Sequence, residues 1–146
     1  MFDPYDPSDE FASDGGDSDI RYPSVSDVYE AHEAVVEEDE NVLDGVVNEG
    51  QIEYALDYIK HGHFDEVPVG IFEKAAYLLC LIIKRHEFID GNKRTALYTT
   101  KAFLEMNGYE MKITNDLLVL VVYISKSDNV DIDDIEDALR GATHIE

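Results

Sequence analysis

Apolar side chains along this chain recur mostly at the three- and four-residue spacing of amphipathic helices. Residues 28–35 and 52–59 each place apolar positions on one helical face, and residues 92–107 repeat the pattern later in the chain. Between them, residues 71–85 are apolar on almost every side, which is typical of a helix at the centre of a bundle. The pattern therefore predicts a helical protein built around a central buried helix.

Capping residues indicate where further helices begin and end. Acidic residues open the stretch 131–141 and Arg140-Gly141 close it, which marks a helix. The run 117–124 is apolar throughout, so periodicity alone does not separate a strand from a buried helix. A cap at Thr114 or Asn115 favours a helix there, and residues 111–113 are predicted as a short extended piece. We therefore predict an all-α bundle of about six helices.

The first 21 residues differ in composition from the rest of the chain. They combine Asp, Ser, Gly and Pro, and residues 1–20 hold seven acidic side chains without Lys or Arg. Such a segment buries too little apolar surface to offset the entropy of ordering. We predict a disordered acidic tail over residues 1–21 and one folded domain over residues 22–146. Phe2, Tyr5 and Phe11 leave a short docking motif as the alternative to a solubilising tail.

The formal net charge of −22 restricts the partners of this protein. A strongly acidic surface excludes a broad nucleic-acid interface and is typical of proteins in high-salt cytoplasms, where screening relieves self-repulsion. The single cysteine, Cys80, lies in an apolar run, so it is predicted to be a core residue and makes an internal disulfide impossible. The start of the chain has no signal-peptide pattern, and the apolar runs are too short to span a bilayer. We expect a cytoplasmic protein.

A basic region interrupts this acidic chain. Residues 84–101 contain five basic side chains and two acidic ones: Lys84, Arg85, Lys93, Arg94 and Lys101 against Glu87 and Asp90. Free N–H groups at the start of a helix, next to cations, form an anion site. Gly91 is expected to let the backbone approach such a ligand, because it has no Cβ. The alternative is an ordinary loop before a charged helix start.

The centre of this region carries the string His86-Glu87-Phe88-Ile89-Asp90-Gly91-Asn92-Lys93-Arg94-Thr95. It resembles the signature of the Fic/Doc superfamily, His-x-Phe-x-Asp/Glu-Gly/Ala-Asn-Gly/Lys-Arg. The form with Lys93 is similar to the Doc (death-on-curing) branch, which consists of toxins of toxin–antitoxin pairs. The likeness extends less specifically over residues 22–141. It implies an all-α bundle with a short flap, and it adds support for a helix over residues 117–124.

The chemistry of the string agrees with the roles that the resemblance implies. His86 can act as general base towards a hydroxyl, and Asp90 can hold Mg²⁺. Asn92 and the backbone N–H groups of residues 91–94 can bind a phosphate oxyanion, which Arg94 can also grip. The family assigns the same roles, with a nucleotide triphosphate such as ATP as co-substrate. Phe88 is then a hydrophobic support beneath the loop.

Lys93 bears on which group is transferred. Most Fic proteins have glycine there and transfer AMP to a protein hydroxyl. The resemblance to Doc implies a reversed nucleotide and transfer of the terminal phosphate, with a translation elongation factor as the target. Gly91 departs from phage-type Doc, which has alanine there. Transfer of phosphate is favoured over transfer of AMP. A non-catalytic interaction module and a phosphate-releasing hydrolase remain open as functions of a different class.

The sequence also bears on regulation and on the remaining histidines. Self-inhibited Fic proteins carry Ser/Thr-x-x-x-Glu-Gly/Asn. Ser26 and Glu30 have this spacing, but Ala31 follows, so the resemblance implies an antitoxin supplied in trans. His32 is predicted to be a half-buried structural residue. The link 61–70 holds two histidines and two carboxylates in a spacing that fits no closed zinc site, and the resemblance suggests that it supplies the flap.

Overall fold

The computed structural model describes residues 19–145, and its six helices confirm the predicted all-α bundle. The elements are α1 Val25–Glu38, α2 Gln51–His61, α3 Ile71–Arg85, α4 Asn92–Glu105, β1 Tyr109–Met111, α5 Asn115–Lys126, α6 Ile132–Gly141 and β2 Thr143–Ile145. Residues 1–18 of the predicted tail lie outside the described residues. Within the described part of the chain, no helix is long and apolar enough to cross a membrane.

Side-chain caps start three of these helices, and glycines precede the other three. Ser24 accepts the N–H of Asp27 in a capping box at α1, and Thr114 accepts the N–H of Leu117 at α5. Asp131 caps α6 in the same way. The helices α2, α3 and α4 instead follow glycines and have no side-chain cap. The cap at Thr114 thus confirms a helix in the ambiguous apolar run.

The central helix of the bundle is α3, as predicted. It packs against α2, α4, α5 and α6, and its apolar side chains, such as Leu78 and Ile82, are almost completely buried. Each such side chain contributes about 1.5–3 kcal/mol on burial. A lysine also lies in this core: Lys74 is fully buried, and its Nζ donates to the Ile59 carbonyl at 2.6 Å. This bond replaces one of the hydrogen bonds to water that the amino group loses on burial.

Two sets of hydrogen bonds hold the two ends of the folded domain in place. β1 and β2 pair in antiparallel fashion, with Met111 opposite Thr143, and β2 was not predicted. At the other end, the backbone N–H of Arg21 donates to Asn107 Oδ1, and Asn107 Nδ2 donates to the Arg21 carbonyl, both at 2.8 Å. The entry to α1 is therefore tied to the residues that follow α4.

The link 61–70 does not lie where the flap was expected. It leads into the first residue of α3, and it packs near Tyr58 and Tyr77. His86 follows the last residue of the same 15-residue helix, which is about 22 Å long at 1.5 Å per residue. The assignment of the flap to this link was therefore wrong. The segment beside the His86 loop is instead residues 42–48.

Candidate active site

The candidate site is the loop that joins α3 to α4. His86 ends α3 in the left-handed conformation (φ 55°, ψ 60°), and Gly91 precedes α4 with φ 80°. Side chains other than glycine adopt this conformation rarely, so the surroundings must hold His86 in place. Its side chain is exposed and has no hydrogen-bond or ion-pair partner among residues 19–145. The imidazole is thus accessible to an incoming group.

Glu87 anchors the loop from the inside. Its carboxylate is only 2% exposed, and it accepts the Ile52 N–H at 2.9 Å and the hydroxyl of Tyr29. The carboxylate therefore caps α2, which has no capping side chain of its own. The hydrogen bond to Glu87, together with burial, raises the pKa of Tyr29 to about 12. This role was not predicted from the sequence, and the missing cap at Gly50 was the signal that could have revealed it.

Phe88 and His32 form the floor of the loop. Their rings stack with centroids 3.8 Å apart and planes inclined by 6°, and Tyr29 meets Phe88 edge-on at 5.1 Å. His32 Nε2 lies 2.8 Å from the carbonyl oxygen of Asp90, to which it donates when protonated at that nitrogen. Both rings are buried. His32 is thus the structural histidine that was predicted, although it is more deeply buried than expected.

Asn92 closes the loop with its side-chain amide. Its Nδ2 donates to the Phe88 carbonyl at 2.9 Å, and its Oδ1 accepts the Phe88 N–H at 3.2 Å. The side chain is buried. The resemblance implied that Asn92 lines the anion hole. In this structure its side-chain amide clamps the loop, and its backbone N–H is the first of α4.

Asp90 is the carboxylate expected to hold Mg²⁺. Its Oδ1 accepts the Gly91 N–H at 2.9 Å and its Oδ2 accepts the Leu43 N–H at 3.2 Å. Each oxygen keeps a lone pair, and Mg²⁺ commonly binds one or two carboxylates together with substrate phosphates. The described residues contain no group of three or more His, Cys, Asp or Glu side chains arranged for a metal. Asp90 is therefore suited to be one ligand of a Mg²⁺ ion that also binds a phosphate.

The first turn of α4 offers donors without acceptors. The backbone N–H groups of Asn92, Lys93 and Arg94 have no hydrogen-bond partner among the described residues, and no side chain caps the helix. The Lys93 side chain beside them is exposed and, within residues 19–145, unpaired. The positive end of the helix dipole adds to these charges. These features together make the helix start suitable for binding an anion.

Packing requires Gly91, which was not predicted from the sequence. A Cβ at this position would lie 3.1 Å from Cγ1 of Val35 and 3.2 Å from Cγ1 of Val42. Both contacts are tighter than ordinary packing, and φ of 80° is itself unfavourable for other residues. The missing side chain therefore lets the loop pack on α1 and its following turn.

Arg94 is held by carboxylates at the end of α1. Its Nη2 donates to Asp39 Oδ2 at 3.1 Å, and its Nη1 lies 3.9 Å from Glu38 Oε1. The N–H of Asn41 and then Arg94 lower the pKa of Asp39. Tyr98 donates to Glu38 at 2.5 Å, which raises the pKa of Tyr98. The guanidinium group is partly exposed, so a phosphate can reach it, and neither acid was identified from the sequence.

Residues 42–48 run along the outer side of the loop. The Ile89 N–H donates to the Gly45 carbonyl at 2.9 Å, and Val46 pairs with Phe88 as an antiparallel bridge. This segment and the loop expose four apolar side chains, those of Leu43, Val46, Val47 and Ile89. A pocket of about 270 Å³ opens beside them, with Tyr29, Glu33 and Phe88 in its wall. The loop therefore has an apolar rim.

The fold and the site together define a class: a helical protein whose loop between two central helices carries an accessible histidine and offers backbone N–H donors and an exposed lysine to an anion. The model of a known protein family matches this chain. The model of the Fic/DOC family matches residues 21–104, more than half of the chain, and the protein belongs to this family. Members of the family are transferases that modify proteins, and they typically use a nucleotide triphosphate. No curated protein matches the chain significantly.

Proposed function

We propose that this protein is a Doc-like toxin that transfers the terminal phosphate of a nucleotide triphosphate to a hydroxyl group of a target protein. The observation that carries the proposal is the start of α4, where three backbone N–H groups without acceptors stand next to the exposed Lys93. A cationic side chain at this position favours the group with the highest negative charge, which is the terminal phosphate. His86 lies on the same loop.

Each residue of the loop has a defined part in this reaction. The N–H groups of residues 92–94 bind phosphate oxygens, and Arg94 binds a further phosphate after it leaves Asp39. His86 accepts the proton of the target hydroxyl. The hydroxyl oxygen bonds to the terminal phosphorus while the bond from that phosphorus to the nucleoside diphosphate breaks, and the diphosphate leaves. Asp90 would hold Mg²⁺, which neutralises phosphate charge when bound.

Rigidity of the loop supports a catalytic role. Phosphoryl transfer depends mainly on positioning and on charge stabilisation by groups that need not reorganise. The buried hydrogen bonds of Glu87, His32 and Asn92 hold the backbone on which His86 and Asp90 sit. Of the groups that would meet the substrates, the side chains of His86 and Lys93 are exposed, whereas Asp90 and Arg94 are partly exposed and hydrogen-bonded. This separation of anchored and free groups favours an enzyme over a non-catalytic interaction module.

The apolar rim suits a protein substrate. Leu43, Val46, Val47 and Ile89 are exposed beside the loop, and an extended target segment can pair with such an edge while its side chains contact the rim. The resemblance to Doc makes a translation elongation factor the expected target. It also makes a separate antitoxin, laid over this face, the expected inhibitor.

Transfer of AMP is the second candidate. Gly91 departs from phage-type Doc, and the protein would then bind the nucleotide with its α-phosphate at the start of α4. Lys93 distinguishes the two reactions, because Lys93→Gly would recreate the AMP-transferring form of the signature without altering His86, Asp90 or Arg94.

Mass spectrometry of host proteins tests the proposal. The full chain is incubated with a host extract, ATP and Mg²⁺, beside a His86→Ala control. We expect a phosphate increment on an elongation factor with the natural chain and none with the control. A nucleotidyl increment would establish the second candidate. No increment of either kind, with a protein shown to be folded in the salt used, would support the interaction module.

A further inference from the structure

Helix α5 is apolar on both faces, but only one face is covered. Leu117, Val121 and Ile124 are buried against the bundle. On the outer face, the side chains of Leu118, Val119, Val122 and Tyr123 remain between 40% and 69% exposed. Their spacing of i, i+1, i+4 and i+5 makes them one contiguous patch. Exposed patches of this kind on a protein surface mark interaction sites.

The charges around this patch restrict what can cover it. The protein carries a formal charge of −22, so most of its surface repels a second copy. Within α5 the charged residues are Asp116 in the first turn and Lys126 in the last turn, and both are exposed. This face therefore combines apolar surface with balanced charge. On α5 a strongly basic partner would contact one acidic side chain, and a strongly acidic partner would contact one lysine.

We propose that two copies of this protein associate through α5, as an antiparallel helix pair about a two-fold axis. The sequence of the helix is self-complementary in that arrangement. With the axis between residues 120 and 121, Val119 lies opposite Val122, and Leu118 lies opposite Tyr123. Asp116 of each copy then lies near Lys126 of the other. A two-fold interface repeats each of these contacts.

The size of the patch sets the strength of the association. A stable interface buries about 800 Å² on each partner, and four partly exposed side chains on one 12-residue helix supply less than that. The dimer is therefore weak, with a dissociation constant in the micromolar range or above. Added salt screens the repulsion between two acidic copies, so dimer formation increases from about 0.15 M to about 1 M salt.

Sedimentation velocity of the full chain over a concentration series tests the patch. The natural chain gives a concentration-dependent dimer, and Val119→Glu weakens it at least about a hundredfold, because it places two carboxylates in an apolar contact. Val69→Glu is the matched control: Val69 is 72% exposed but lies outside α5, and its variant dimerises like the natural chain. A chain that stays monomeric up to millimolar concentration in both salts overturns the proposal, whatever else covers the face.

A charge exchange tests the antiparallel arrangement. At about 0.15 M salt, Asp116→Lys and Lys126→Asp each weaken the dimer by about tenfold, since each replaces two attractive pairs by two repulsive ones. The double variant restores attraction and returns the dissociation constant to within about threefold of the natural value. Circular dichroism checks that every variant is folded. A folded double variant that dimerises no better than the single ones overturns the arrangement.

Discussion

The carboxylate of Glu87 accepts the backbone N–H of Ile52 at 2.9 Å, so the loop that carries His86 is also the cap of the neighbouring helix α2. The two residues are 35 positions apart in the chain. The bond joins the stability of the fold to the geometry of the candidate active site. A change at Glu87 must therefore affect both.

Replacement of Glu87 by glutamine is expected to lower the free energy of unfolding by about 1–3 kcal/mol, because the amide cannot accept both the Ile52 N–H and the Tyr29 hydroxyl as the carboxylate does. Urea denaturation measures the change. Glu49→Gln is the control, since Glu49 is exposed and close in sequence to α2. Equal stability of the two variants would show that the carboxylate of Glu87 stabilises the fold no better than an amide.

The pKa of Tyr29 predicts how stability changes in alkaline solution. Folding raises this pKa from 10.0 to about 12, so the folded state keeps the phenolic proton over a range in which the unfolded state loses it. The contribution of Tyr29 to stability is complete below pH 10 and is lost as the pH rises towards 12. Tyr29→Phe should abolish this part of the decline. Urea titrations at several pH values compare the two proteins, and parallel curves would contradict the prediction.

Asp39 is expected to compete with a nucleotide for Arg94. Their ion pair has an N–O distance of 3.1 Å and is partly exposed, so its loss costs the protein little. Asp39→Asn frees the guanidinium and removes a negative charge, and it should tighten nucleotide binding by about twofold to fivefold. Isothermal titration calorimetry with ATP and Mg²⁺ measures the affinity for the nucleotide. Glu37→Gln, at the same end of α1, is the control. Weaker binding would instead mean that Asp39 orients Arg94.

Two glycine replacements separate packing from backbone strain. Gly91 and Gly108 both have positive φ, 80° and 90°, but a Cβ at 108 meets no atom within 4 Å. Gly108→Ala should therefore lose only about 1 kcal/mol of stability from strain, whereas Gly91→Ala should lose about 1–3 kcal/mol more, because it also crowds Val35 and Val42. Thermal and urea unfolding of both variants measure the difference. Equal losses of stability would show that α1 shifts away from the added Cβ at position 91 without a cost in free energy.

The helices could be predicted because their signals are local. Periodicity located α1 to α4. A cap at Thr114 or Asn115, together with the family resemblance, favoured a helix for α5, and Thr114 does accept the N–H of Leu117 three residues away. β2 escaped prediction because three residues have no period, and its partner β1 ends 32 positions before it begins. The helix content of the chain was thus available from the sequence, and its small sheet was not.

The site was predictable in its residue types but not in its contacts. The string from His86 to Arg94 identified the loop. The contact of Arg94 with Asp39 spans 55 positions, and no spacing rule predicts it. The flap was assigned to residues 61–70 from the resemblance alone, although this link precedes α3 and His86 follows the same helix.

Helix α4 begins without a cap, and this has a consequence for how the protein responds to its surroundings. Under the proposed function, a bound phosphate would supply acceptors to the first turn, so it would stabilise this helix start as well as serve as a substrate group. Folding and occupancy are then one linked equilibrium, and each increment of ligand stabilises the native state. The concentration of nucleotide in the cell would then influence the free energy of unfolding of this domain before any reaction takes place.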